Sequence, residues 1–128
     1  MTLNHLNLVV PNLSRAVSFF ETYFEFRCEG IKGNNLIAVL KNKADFTLVV
    51  MTDKNGDTTY PNDFHIGFML ERLEEVDMLH QKLVSGKIDM PQAPRKIRDS
   101  YGFYFYFDNL FIEVGHYVNQ SIGLMEKG

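Results

Sequence analysis

The sequence predicts an α+β fold built from two βαβββ modules. Three observations lead there: the chain repeats itself at an offset of 60 residues, each repeat opens with alternating apolar residues that give way to helix-spaced ones, and each closes on short β-forming runs joined by turn residues. Aligning His5 with His65 sets Leu6 on Ile66, Leu8 on Phe68, Val10 on Leu70, Leu13 on Leu73, Ala16 on Val76 and Phe19 on Leu79.

The first strand spans Leu3 to Val10, where Leu6, Leu8 and Val10 point one way and His5, Asn7 and Val9 the other. Pro11 and Asn12 then stop the strand and cap a helix, whose stripe is Leu13, Ala16, Val17, Phe20 and Phe24. A strand is expected near Phe26 to Glu29, followed by Leu36 to Leu40, a turn at Asn42-Lys43-Ala44-Asp45, and a strand over Phe46 to Met51. The second copy opens with Phe64, Ile66, Phe68 and Leu70 set against His65, Gly67 and Met69. Its helix carries Leu73, Val76, Leu79 and Leu83 and is closed by Gly86. A short strand near Arg95 to Arg98 precedes a hairpin of Tyr101 to Phe107 and Leu110 to Val114 across Asp108-Asn109. A two-residue loop there pairs Phe107 with Leu110 and Tyr104 with Glu113. Phe103, Phe105, Phe107, Leu110, Ile112 and Val114 then face the helix, and Tyr104, Tyr106, Phe111 and Glu113 face away from it.

The expected organisation is one domain of two modules, 1–52 and 63–118, with a polar linker over 53–62 and a C-terminal tail at 119–128. Each module is too small to count on a core of its own, so the two are expected to fuse. With 128 residues, 45% of them hydrophobic, and 11 Phe and 6 Tyr, the chain has the composition of a soluble globular protein. Thirteen basic against sixteen acidic residues leave a net charge of −3, which lacks the electrostatic footprint of a general nucleic-acid binder. Cys28 stands alone, so no internal disulfide forms. Neither a leader nor a stretch of about 20 apolar residues is visible, and the protein is expected to be cytoplasmic, without a membrane partner.

His5, His65 and Glu113 fall near strand middles on faces turned away from the helices. A carboxylate between Ile112 and Val114 is costly to bury unless it is paired, protonated or bound to a cation. Two imidazoles and a carboxylate form the set that binds zinc, iron(II) and related divalent ions with positions left open for water or substrate. A strand histidine is more often a hydrogen-bonded structural residue than a ligand, and what raises the metal reading is the repeat, which puts two histidines at equivalent positions.

The segment from His5 to Leu13, running into Ala16-Val17-Ser18-Phe19-Phe20 and Phe24-Glu25-Phe26, resembles the first module of the vicinal oxygen chelate superfamily, the family of glyoxalase I, fosfomycin-resistance enzymes, extradiol dioxygenases and bleomycin-binding proteins. Tyr101 to Phe105, with Asp108-Asn109-Leu110-Phe111-Ile112-Glu113-Val114, resembles its second-module signature. The resemblance implies paired modules whose sheet curls into a cupped half-barrel, a divalent metal (Zn, Fe, Mn or Ni) held by His5, His65 and Glu113, a small oxygenated substrate, and a homodimer. It implies lyase, isomerase or transferase chemistry in which the metal stabilises a developing oxyanion. Glyoxalase I has a fourth ligand on the last strand of its first module. Here an offset of 64 puts Val49 at that position, with Thr47 beside it, and neither replaces a carboxylate.

Tyr104 and Tyr106 are the candidate catalytic residues, as hydrogen-bond donors or orienters of substrate, with ordinary aromatic packing inside a cupped sheet as the competing reading. Arg95, Lys96 and Arg98 form a basic cluster suited to an anion or to a solvated loop. His80 has no assigned role, and His116 is expected on the face opposite Glu113. The alternatives to an enzyme are a protein that sequesters a small molecule in an aromatic cavity, as bleomycin-resistance proteins do, and a dimerisation module with an inert site.

Overall fold

The computed structural model describes residues 1–53 and 58–118; the middle of the expected linker and the expected tail at 119–128 lie outside the described residues. The chain divides into two compact units, Met1–Thr59 and Tyr60–Gly128. Each contains one βαβββ module with its own four-stranded mixed sheet.

The first unit runs β1 (His5–Val10), α1 (Leu13–Tyr23), β2 (Arg27–Lys32), β3 (Ile37–Lys41) and β4 (Thr47–Thr52), in sheet order β1-β4-β3-β2. Strand β1 alternates as expected, with Leu8 and Val10 buried and His5, Asn7 and Val9 exposed. Asn12 caps α1, its side-chain oxygen accepting from the Arg15 N–H at 3.0 Å. Five α1 residues are buried: Leu13, Ala16, Val17, Phe19 and Phe20. The Phe20 ring meets those of Phe19 and Phe26 edge-on at 5.2 and 5.9 Å, a geometry favoured by the ring quadrupole. Asn42 organises the turn before β4 by accepting from the backbone N–H groups of Ala44 and Phe46, both at 3.0 Å.

The second unit runs β5 (His65–Met69), α2 (Leu73–Ser85), β6 (Arg95–Ile97), β7 (Ser100–Phe107) and β8 (Leu110–Tyr117), in sheet order β5-β8-β7-β6. The β7–β8 hairpin has the expected register, with Phe107 opposite Leu110 and Tyr104 opposite Glu113. Asp108 (φ 46°) and Asn109 (φ 71°) make its turn, both in the left-handed region that a two-residue hairpin loop demands. Phe103, Phe105, Phe107, Leu110, Ile112 and Val114 are all buried.

One expectation for α2 needs correction, the burial of its whole stripe. Leu73 begins the helix but is 40% exposed, and only Val76 and Leu83 of the expected stripe are buried. The counterpart of Phe20 at the 60-residue offset is His80, whose ring meets Phe103 edge-on at 5.0 Å and whose Nε2 bonds the Gln92 carbonyl at 3.1 Å. Gly86 caps α2 with φ −81°, and the left-handed residue that reverses the chain is Lys87 at φ 63°. Lys87 N–H donates to Val84 O and Ile88 N–H to Leu83 O, both at 3.0 Å, closing the helix in a Schellman motif.

The two units share one register. His5 pairs with Thr47 as His65 pairs with Phe111, and Asn7 pairs with Val49 as Gly67 pairs with Glu113. The central pairs follow: Val39–Val49 matches Tyr104–Glu113, and Ile37–Met51 matches Gly102–Gly115.

Candidate functional site

The chemistry-bearing face is built by the second unit. Parallel pairing of β5 with β8, and antiparallel pairing of β8 with β7, lines up Gly67, Glu113 and Tyr104 across three adjacent strands. Side chains on opposed residues project from one face, so the face turned from α2 receives Glu113, Tyr104 and, one step along β5, His65. Gly67 leaves the space above Glu113 open: a Cβ there would sit 3.7 Å from the Glu113 Oε1.

His65 Nδ1 lies 3.0 Å from the Asp63 carbonyl oxygen. A carbonyl only accepts, so Nδ1 carries a proton, and in the neutral ring Nε2 is the nitrogen with a lone pair to offer. Nε2 is 3.7 Å from Glu113 Oε1, beyond hydrogen-bond range. The separation suits two donors to one divalent ion, whose bonds of about 2.0–2.2 Å can span it. A ring N–H fixed by a backbone carbonyl is also the usual support of a metal-ligating histidine.

Tyr104 completes the group. Burial, then the charge of Glu113 and a hydrogen bond to its carboxylate, push the phenol above its ordinary pKa of 10.0, while Arg98 and Arg95 pull it the other way. It therefore stays protonated at neutral pH. A groove of about 510 Å³ opens over these residues, lined by His65, Glu113 and Tyr104 and, from the β6–β7 turn, by Arg98, Asp99 and Ser100. Arg98 sits in that turn at φ 55°.

Tyr106 does not line the groove; it lies with Phe111 in a second cleft. His5 belongs to the first unit, where it is exposed and its Nδ1 is 2.8 Å from Asn4 Oδ1. Among the described residues, no group of three or more His, Cys, Asp or Glu side chains that could hold a metal ion is present. His116 bonds the Leu70 carbonyl through Nδ1 at 3.0 Å, which ties β8 to the end of β5. Cys28 is half-buried, its thiol 3.7 Å from the Gly30 carbonyl. Sequence reasoning missed Asp63, Asp99 and Ser100. Asp63 acts through its backbone, for which a sequence carries no mark, whereas the strand that leads to Asp99 and Ser100 was expected near Arg95 to Arg98.

The glyoxalase/bleomycin resistance protein/dioxygenase superfamily model matches residues 2–111. The chain belongs to that superfamily. Its structural relatives include a possible glyoxalase from Bacillus cereus, 34% identical over 89% of this chain and 97% of that one, with a TM-score of 0.76. The fosfomycin resistance protein FosX from Listeria monocytogenes is 22% identical over 91% of this chain and 93% of that one, with a TM-score of 0.72. Lactoylglutathione lyase from Agrobacterium tumefaciens is 17% identical over 90% of this chain and 92% of that one, with a TM-score of 0.70. At those two identities the likeness is one of fold. No curated protein matches the chain. Membership makes the βαβββ repeat a superfamily feature and leaves the reaction to be argued from the site. Among the described residues no helix is long and apolar enough to cross a membrane.

Proposed function

We propose that the protein is a metal-dependent enzyme acting on a small oxygenated molecule, with His65 and Glu113 as two of the metal's ligands. The observation that carries this reading is His65 Nε2 facing Glu113 Oε1 at 3.7 Å, with the opposite ring nitrogen held by the Asp63 carbonyl. His5, which the shared register makes the counterpart of His65, is the third donor in this reading. A second copy of the chain is a natural source of that residue in a homodimer. Val49 occupies the position of Glu113 in the first unit, so a fourth protein ligand of the glyoxalase I kind is not part of the proposal.

When bound, a divalent ion with open positions would accept the substrate's oxygens and stabilise negative charge developing on them. The chain's own residues do the rest. Asp63 holds the ring through Nδ1 and so turns Nε2 toward Glu113, Tyr104 keeps a protonated hydroxyl on the strand position opposite Glu113, and Gly67 keeps the approach clear. Arg98 and Ser100, on the groove's rim, are placed to orient the part of the substrate remote from the reacting oxygens.

The test is the metal content of protein purified without chelator, for the natural chain and for His5→Ala, His65→Ala and Glu113→Ala. A near-stoichiometric divalent ion that falls at least tenfold in each variant is expected. A metal-free natural chain, or variants that keep the ion, would end the metal reading. Turnover of oxygenated substrates by the metal-loaded protein then separates an enzyme from a sequestering protein of the same fold.

A further inference from the structure

The second unit has a second cleft, of about 370 Å³, between its entry segment and the β7–β8 hairpin. Its walls are two aromatic pairs. Tyr60 stacks on Phe64 with centroids 5.3 Å apart and planes 11° apart, and Tyr106 stacks on Phe111 at 4.8 Å and 25°. Asn62, Asp63 and Asn109 supply polar atoms between them.

Packing explains only part of this arrangement. Phe111 is sandwiched, with Tyr104 on one side at 5.3 Å and Tyr106 on the other. Tyr106 is the end of the stack and stays 61% exposed on an otherwise well-covered strand. A large aromatic face held rigid from behind and open in front is a stacking platform. The charge around it has one sign. Asp63 lines the cleft and Asp108 acts on Tyr60, while no Lys, Arg or His is among the lining residues. Aromatic faces and carboxylates repel an anion and accept a neutral or cationic ring. The volume is within the range of about 300–1,000 Å³ usual for small-molecule sites.

We propose that this cleft binds a flat ring without negative charge, stacked on Tyr106 with its polar edge toward Asn62 and Asn109. The site does not depend on a metal at His65 and Glu113. Phe111 is the shared wall: it lines this cleft, and the His65 ring meets it edge-on at 5.7 Å. A ring seated on Tyr106 is thus one aromatic side chain away from His65, within the reach of a single two-part ligand.

Three probes with one ring size separate the outcomes: nicotinamide (neutral), 1-methylnicotinamide (cationic) and benzoate (anionic), titrated into the full chain and followed by amide chemical shifts. The first two are expected to bind with dissociation constants of about 1–10 mM, as suits fragments of this size. Their shifts should centre on Asn62, Asp63, Asn109 and Phe111, with benzoate at least tenfold weaker. Tyr106→Ala, at an exposed position that folding tolerates, should weaken nicotinamide at least tenfold, Tyr106→Phe should keep it, and Glu113→Gln should leave it unchanged. Equal binding of benzoate, shifts centred elsewhere, or indifference to Tyr106→Ala would overturn the proposal. Loss of binding in Glu113→Gln would overturn the independence of the two sites. A metal-free chain that still binds nicotinamide would end the metal reading and leave this one standing.

Discussion

The two units repeat one register but put different side chains on it. On the face turned from the helix, the first unit carries His5 and Asn7 on β1, Val49 and Met51 on β4, and Val39 and Ile37 on β3; the second carries His65 and Gly67, Glu113 and Gly115, and Tyr104 and Gly102 at the matching places. The helix sides differ in the opposite sense. Helix α1 buries five residues, with Phe20 at their centre, whereas α2 buries Val76 and Leu83 and has His80 where α1 has Phe20. Duplication thus left one unit richer in core and the other richer in chemistry. A polar, cleft-bearing face contributes little to stability.

The largest effect should come from breaking the core of the first unit. Phe20→Ala removes a fully buried ring and should cost about 3–5 kcal/mol in chemical denaturation. His80→Ala, its counterpart in α2, should cost about 1 kcal/mol, the worth of one hydrogen bond and an edge contact. Equal costs would mean that the two helices carry their units equally, against the burial pattern.

Next is Gly102→Ala. A Cβ there would run into the Val114 carbonyl and stand 2.7 Å from the Gly115 Cα, so the strands must part where the first unit accommodates Ile37 beside Met51. A loss of about 3 kcal/mol is expected, accompanied by weakened amide protection along β7 and β8. A fully stable Gly102→Ala chain would show that the close approach is not required.

Glu113→Val copies Val49 into the second unit and tests the chemistry directly. Metal affinity should fall about 100-fold or more, while stability shifts by no more than about 1 kcal/mol, because the His65 and Glu113 side chains keep 43% and 23% of their exposure. Large destabilisation without any change in metal content would make Glu113 a structural residue. Tyr104 adds a pH signature. Its pKa is raised in the folded chain, chiefly by burial and then by the charge of Glu113, so the neutral phenol contributes its full stability below pH of about 10 and that contribution is lost as pH rises through the raised value. Tyrosinate absorbance should lose one high-titrating phenol in Tyr104→Phe, and an unchanged titration would contradict the shift.

Much of this was legible beforehand because strands report themselves through alternation. The repeat placed His5 with His65 and Val49 with Glu113, and the Asp108-Asn109 turn fixed Tyr104 opposite Glu113. What escaped depends on depth and backbone shape. Leu73 has the spacing of a core residue, but spacing marks a face of a helix and not how far along its length the sheet extends. Tyr106 shares a face with Tyr104, yet two residues along a strand is far enough to enter another cleft. The Asp63 carbonyl that sets the His65 tautomer belongs to a residue at φ 68°, which its side chain does not announce.

The smallest expected effect tests the ends of the helices. Both reverse through a left-handed residue that is not glycine, Glu25 at φ 60° after α1 and Lys87 at φ 63° after α2. In α2 the glycine sits one residue early: Gly86 has φ −81°, which any residue adopts, and it is exposed. Alanine at 86 would therefore lower the entropy of the unfolded chain without strain, worth about 0.4–1 kcal/mol, and glycine at 87 would relieve a conformation that costs an L-residue about 1 kcal/mol while giving back part of that in chain entropy. The double change Gly86→Ala/Lys87→Gly should raise stability by about 1 kcal/mol, seen as a melting temperature higher by about 3–5 °C. Glu25→Gly should gain only a few tenths, because α1 offers no misplaced glycine to exchange. If the double variant melts no higher than the natural chain, Lys87 is held in place by something other than the helix end, and the weaker-core unit is less improvable than its α2 contacts suggest.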